Sequence, residues 1–295
     1  MEPTLAQPEI ATAAVLSLAP MVAAGLFSET LPRLAEKLLP WARLFCPAVL
    51  CLPYALVAWA SGRFEWRWLG LYALLPVTVA VLLGLARRVD AKQRGIWLDF
   101  LVLFALGLAV DLRWFERAWP LSLTAFNKVL LLDAGLYGFL VIRGLTGVGF
   151  DLRLRWSDAR IGLRELAYFT PAALVLGLSL GFLHLHLSLP PPQRPILAWL
   201  FAFFLIALPE EIFFRGWMQN LLERRIGKYR GLLATAALFG LSHFNKRAAH
   251  FNWRYVLLAS LAGIFYGRAW RRERRVGASA ITHASVDTLW SIWLR

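Results

Sequence analysis

Six side chains that can hold or move charge fall in three short clusters in the C-terminal half of this sequence. The first is Leu208-Pro209-Glu210-Glu211-Ile212-Phe213-Phe214-Arg215, the second Phe239-Gly240-Leu241-Ser242-His243, and the third His283-Ala284-Ser285-Val286-Asp287. Imidazoles and carboxylates are the groups that most often take a proton from water and return one to a leaving group. Two histidines and two or three carboxylates are also a donor set for zinc, whose ligands would be Glu210, His243, His283 and Asp287. The chain has no His-Glu-x-x-His motif. Spacing sorts the residues further. Side chains four apart share a helix face, so Glu211 can pair with Arg215, which lowers the cost of burying either. Glu210 is turned about 100° away and is left for other work. His283 and Asp287 are also four apart and can orient one another or converge on one water.

The surroundings of these clusters make them informative. Of 295 residues, 59% are hydrophobic and 17% charged, and the mean hydropathy is +0.57, well beyond a soluble domain. A charge at the centre of a bilayer costs about 2.5–3.5 kcal/mol or more, so intramembrane charges are functional candidates by default. A lone histidine on such a helix is more often structural. Here three segments each present polar groups at similar depth. At 1.5 Å per residue, Glu211, His243 and Asp287 lie about 16, 18 and 16 Å from the inner ends of their helices, and His283 about 10 Å.

Positioning them requires an all-α, polytopic transmembrane bundle of about ten spans (eight to ten). The candidate segments are roughly 10–27, 42–60, 68–86, 96–110, 123–142, 167–187, 196–222, 231–245, 255–269 and 277–294. Lys and Arg concentrate in alternate loops by more than two to one. The rich set includes Arg33, Arg87, Arg88, Arg143, Arg153, Arg155, Arg224, Arg225, Arg271 and Arg275. That asymmetry predicts cytoplasmic loops there and both ends outside. The net charge of +14 is thus read as contact with anionic lipid at the inner face, not as nucleic-acid binding. The polar stretch 143–165 divides an N-terminal half, 1–160, of unassigned role from a C-terminal half, 161–295, that carries the clusters. Leu189 to Pro195, with four prolines, reads as a stiff outer connector. Cys46 and Cys51 read as small apolar core residues. Met1-Glu2-Pro3-Thr4, with no Lys or Arg before Arg33, lacks the basic start of a signal peptide.

Taken together the clusters resemble the CAAX-protease and bacteriocin-processing family of membrane proteases. Its pattern is Glu-Glu-x-x-x-Arg, Phe-x-x-x-His, and His-x-x-x-Asn or Asp. Here these are Glu210, Glu211 and Arg215; Phe239 and His243; His283 and Asp287. The resemblance covers about 165–295. Gly263-Ile264-Phe265-Tyr266-Gly267 also suits the family's small-residue helix, where glycines allow close backbone approach. The resemblance implies a metal-free, glutamate-type intramembrane endopeptidase, multi-pass in a bacterial plasma membrane, acting on a membrane-associated protein or peptide. Glu210 would be the general base for a water also held by His243. His283 and Asp287 would polarise the scissile carbonyl or stabilise its oxyanion, with Glu211, Arg215 and Phe239 in support. Asp287 departs from the more familiar Asn, which keeps zinc as an alternative cofactor.

Competing readings are a non-catalytic scaffold or immunity protein and a proton-coupled transporter. The transporter lacks matched Pro/Gly breaks in its two halves. His184 and His186 read as interfacial, and His250, beside Lys246, Arg247 and Arg254, as part of a solvated loop. Lys128 and Asp133, five apart, are poorly aligned on one helix and are expected to meet partners on others.

Overall fold

The structure, a computed structural model, describes residues 7–187, 189–246 and 250–295. The expectations that touch Met1–Thr4 and Arg247 lie outside these residues. The described chain is helical, without a strand, and forms two compact units that divide between Thr146 and Gly147. The polar stretch from Asp151 onward therefore belongs to the second unit.

In the first unit α1 is Pro8–Leu26, α2 Pro40–Ala60, α3 Trp66–Val89, α4 Trp97–Asp111 and α5 Leu121–Ile142. A short helix, Thr30–Ala35, lies between α1 and α2. The core is partly polar. The rings of Tyr54 and Tyr72 stack at 5.3 Å, Trp119 Nε1 donates to Tyr72 Oη at 2.6 Å, and Tyr72 donates to Asn127 Oδ1 at 2.7 Å. Cys46 is exposed on α2 and so is not the core residue expected, whereas Cys51 is half-buried and packs against the core.

In the second unit α6 is Trp156–Ser179, α7 Gln193–Ile226, α8 Lys228–Leu241, α9 Trp253–Glu273 and α10 Val276–Trp293. Three boundaries around the proline connector and α6 differ from the sequence reading. Residues 156–165, expected in a loop, form the first turns of α6, because Asp158 accepts from Arg155 N at 2.9 Å and caps the helix start. The same helix ends at Ser179 and not near 187, turning at Gly181, whose φ of +60° suits glycine. Gly227, with φ +89°, makes the reversal between α7 and α8. The proline connector is shorter than expected, since α7 already begins at Gln193.

Six of these helices are long and apolar enough to cross a membrane by themselves: α1, α2, α3, α5, α6 and α7. The chain is an integral, multi-pass helical bundle. The other four expected spans are present as helices of a different kind. α4 has 15 residues and α8 has 14, whereas α9 and α10 are long enough but polar. α10 carries Thr282, His283, Ser285, Asp287 and Thr288, and is buried continuously from Val276 to Ser285. A helix enclosed by other helices needs no lipid-compatible surface. Small residues let it be enclosed. A Cβ on Gly162 of α6 would meet Ile281 Cγ2 of α10 at 2.8 Å, and one on Gly263 of α9 would meet Ala236 Cα of α8 at 3.0 Å.

Two arginines expected at lipid are instead buried in ion pairs. Arg143 Nε donates to Asp99 Oδ1 at 2.8 Å and its Nη2 to Asp90 Oδ2 at 2.7 Å. Arg275 Nε donates to Asp158 Oδ1 at 2.8 Å, with Asp151 Oδ2 3.3 Å from Nη1. Burial opposes the charge of Asp90, but the amides of Arg94 and Gly95 and the Arg143 guanidinium outweigh it and hold the carboxyl below its usual range. At Asp151 burial is outweighed in the same way by the Arg153 amide and by the guanidinium groups of Arg153 and Arg275.

Lys128 is exposed. Asp133 is fully buried, and neither carboxyl oxygen has a hydrogen-bond partner among the described residues. The expected partner for Asp133 on another helix is therefore not found.

Candidate active site

α7 does not run as a regular α-helix through the Glu-Glu-Arg cluster. Pro209 has no N–H and so cannot bond the carbonyl of Leu205. On either side the helix widens to π-type turns, Phe203–Ala207 and Ile212–Gln219, with one α-helical stretch, Leu208–Glu211, between them. Such widened turns recur at functional positions. Here they send the two adjacent carboxylates different ways. Glu211 is fully buried, whereas the side chain of Glu210 keeps 28% exposure.

Glu211 holds two partners. Its Oε2 accepts from Arg215 Nε at 2.9 Å, the pairing expected from spacing. Its Oε1 lies 2.9 Å from His283 Nδ1 on α10, a contact that spacing within one helix cannot reveal. A carboxylate already paired with Arg215 accepts, so His283 Nδ1 carries the hydrogen. The other nitrogen, Nε2, then faces two carboxylates, Asp287 Oδ2 at 3.7 Å and Glu210 Oε2 at 3.9 Å. Both gaps exceed a direct hydrogen bond and suit a shared water.

His243 lies in the turn that follows α8 and is buried. Its Nδ1 is 2.9 Å from the carbonyl of Phe239. A carbonyl only accepts, so Nδ1 carries the hydrogen and Nε2 keeps its lone pair. The charges of Lys246, Glu210 and His283 all act on this ring. Phe239 is the hinge of the arrangement. Its ring meets His243 at 4.9 Å and His283 at 5.5 Å, and the Arg215 guanidinium lies over it at 5.2 Å. Arg215 Nη1 and Nη2 have no hydrogen-bond partner among the described residues and rest against aromatic faces.

Two aromatic residues of α9 were missed. Tyr266 lies flat on His283, with centroids 4.5 Å apart and planes at 17°. Tyr255 lies against His243 at 4.7 Å. They are eleven residues apart in sequence, three helical turns, a signal no stronger than that of many membrane helices. The glycines beside Tyr266 do what their spacing implied: a Cβ on Gly267 would lie 2.3 Å from Leu232 of α8.

A cavity of about 100 Å³ opens on the site between α6, α9 and α10. Its walls are mostly apolar, including Phe169, Leu258 and Trp290, and its polar end is made by His243, His283 and Asp287. Glu210, Glu211 and Arg215 are not in its lining. Among the described residues no three His, Cys, Asp or Glu side chains are grouped to hold a metal ion. His184, His186 and His250 are exposed and are not part of the cavity lining. His184 N and His186 N donate to the carbonyls of Leu294 and Trp293.

No curated protein and no solved structure matches the chain. A family model does, and the stretch it matches, residues 192–289, begins at α7 and spans all three clusters. That family model is described as type II CAAX prenyl endopeptidase Rce1-like, and the stretch is similar to that family of membrane proteases.

Proposed function

We propose that the protein hydrolyses a peptide bond within the membrane by a glutamate-activated water, without a metal. Glu210 is the general base. The water it deprotonates is held from the other side by His243 Nε2 and attacks the scissile carbonyl. His283, carrying a hydrogen on each nitrogen, donates from Nε2 to the developing oxyanion while Glu211 fixes it through Nδ1. Asp287 orients the same ring. Fixed donors are worth more where water is scarce, and the apolar walls supply that condition. The substrate is a membrane-associated protein or peptide, reached from the cytoplasmic side where the basic loops lie, in a bacterial plasma membrane.

The observation that carries this reading is the position of His283, pinned at one nitrogen by Glu211 and open at the other toward Glu210 and Asp287. A general base contributes about 10²–10⁴-fold, so Glu210→Gln is expected to lower cleavage at least a hundredfold with membrane insertion unchanged. Membrane peptidomes of cells with native protein and with Glu210→Gln would be compared. A precursor that accumulates only with the variant supports the reading and names the substrate. Undiminished cleavage by Glu210→Gln sinks it. Activity in purified protein is expected to survive a strong zinc chelator, and its loss with recovery on added zinc would replace the metal-free version.

A further inference from the structure

The first unit carries a second concave site, and nothing in the protease chemistry uses it. A cavity of about 460 Å³ is lined by Arg67 and Trp68 at the start of α3, and by Leu112, Arg113, Trp114 and Arg117 just beyond the end of α4. α3 and α4 are consecutive helices packed on one another, so the start of one and the end of the next lie at the same face of the membrane. Trp66 is 77% and Trp114 49% exposed. Amphipathic rings of this kind settle at the boundary between lipid tails and water.

The wall is built of donors. Arg67 Nε is 2.6 Å from Glu65 Oε2, and Arg113 Nε is 3.9 Å from Glu116 Oε2. Two of the three guanidinium groups thus have a carboxylate partner. Arg117 has neither an ion pair nor a hydrogen bond among the described residues. The Trp68 indole N–H is buried without an acceptor among the described residues. A 24-residue helix also begins here with no side-chain cap, and its N-terminus favours negative charge. Arginine forks match phosphate oxygens in pairs.

We propose that this pocket binds the phosphate headgroup of an anionic membrane lipid. The chemistry is phosphate recognition, and the exposed tryptophans favour a lipid over a free ion, because a soluble anion gains nothing from rings set in the bilayer boundary. The first unit then holds the protein to a lipid of defined charge.

The test uses full-length protein purified in neutral detergent. Its melting temperature and its retained lipid, by native mass spectrometry, are followed while phosphatidylglycerol, phosphatidylcholine or inorganic phosphate is added. Phosphatidylglycerol is expected to bind and stabilise, with an affinity that falls as salt rises. Phosphatidylcholine, its phosphate screened by its own choline, is expected to bind much less. An arginine near an anionic headgroup is worth about 1 kcal/mol, or fivefold, so Arg113→Gln with Arg117→Gln should weaken phosphatidylglycerol by about 25-fold. Arg63→Gln, next to the pocket but outside its lining, should leave it unchanged. Both substituted arginines are exposed, so the lipid-free variant should melt as the native protein does. Equal binding by the double variant, or equal binding of the two lipids, overturns the site. Inorganic phosphate that stabilises as well as phosphatidylglycerol overturns the lipid.

Discussion

The imidazole of His283 lies flat on the ring of Tyr266, 4.5 Å between centroids and 17° between planes. Stacking fixes the plane of the imidazole, and the Glu211 contact fixes its rotation. Tyr266→Phe keeps the ring and should keep most activity. Tyr266→Leu frees one face of His283 and should lower turnover by about tenfold, since small misplacements of a positioned group are costly. Single-turnover cleavage separates the two, and equal losses in both variants would remove the stacking argument.

Glu211 is predicted to matter for folding as much as for chemistry. Glu211→Ala strands a buried Arg215, and breaking a buried pair from one side costs about 3–5 kcal/mol. Glu211→Gln keeps an acceptor for one partner and should fall between Ala and native. Thermal or denaturant unfolding in detergent measures this order, and an Ala variant as stable as native protein would contradict it.

The α8–α9 contact should tolerate no side chain at Gly240. A Cβ there would sit 1.9 Å from Ser260 Oγ and 2.4 Å from the carbonyl of Val256, which is backbone and cannot rotate away. Gly240→Ala is expected to cost about 1–3 kcal/mol by overpacking and to lower activity, because His243 follows three residues later. Gly70→Ala, with nothing within 4 Å, is the matched control and should be neutral or slightly stabilising in unfolding experiments.

Asp133 should be dispensable for stability, and even harmful to it. A buried group without partners carries its full desolvation cost, about 1–3 kcal/mol. Asp133→Leu, which keeps the branched shape with apolar atoms in place of the oxygens, is expected to raise the melting temperature of the full-length protein. A fall would mean that the carboxyl has a partner.

The paired loop carboxylates set an acid limit. Asp90 and Asp151 have folded-state values below their unfolded value of 3.8. A depressed acid contributes stability above its unfolded value and loses it as pH falls through the folded one. Stability should therefore hold through neutral pH and drop progressively below about pH 3.8. Asp151→Asn should be less stable than native at pH 7 and show a shallower acid loss in melts taken across that range.

Residue order alone located the three clusters and the helical class, because hydrophobic runs and four-residue spacings are local properties. The Glu211–Arg215 pair was legible for that reason, as was the close packing at Gly263 and Gly267. The Glu211–His283 contact was not, since it joins residues 72 positions apart, and neither were the stacked tyrosines. Arg143 and Arg275 misled the reading. A basic residue in a loop has the same letter whether it faces lipid headgroups or two buried aspartates. The start of α6 was hidden by its own charges, which are spent on capping and ion pairs and not on solvent. The N-terminal unit offered no chemical motif, and its arginine-lined pocket appears only when two distant loops are folded side by side.

The polarity of α10 has a consequence for how the protein is made. A segment bearing His283 and Asp287 partitions poorly into lipid by itself, and it is among the helices that fall short of a self-sufficient span. It can enter only where earlier helices already offer polar company, such as Glu211 for its histidine. Insertion of that segment and completion of the site are then a single event. A chain halted before it would sit in the membrane with its glutamates in place and no means to use them.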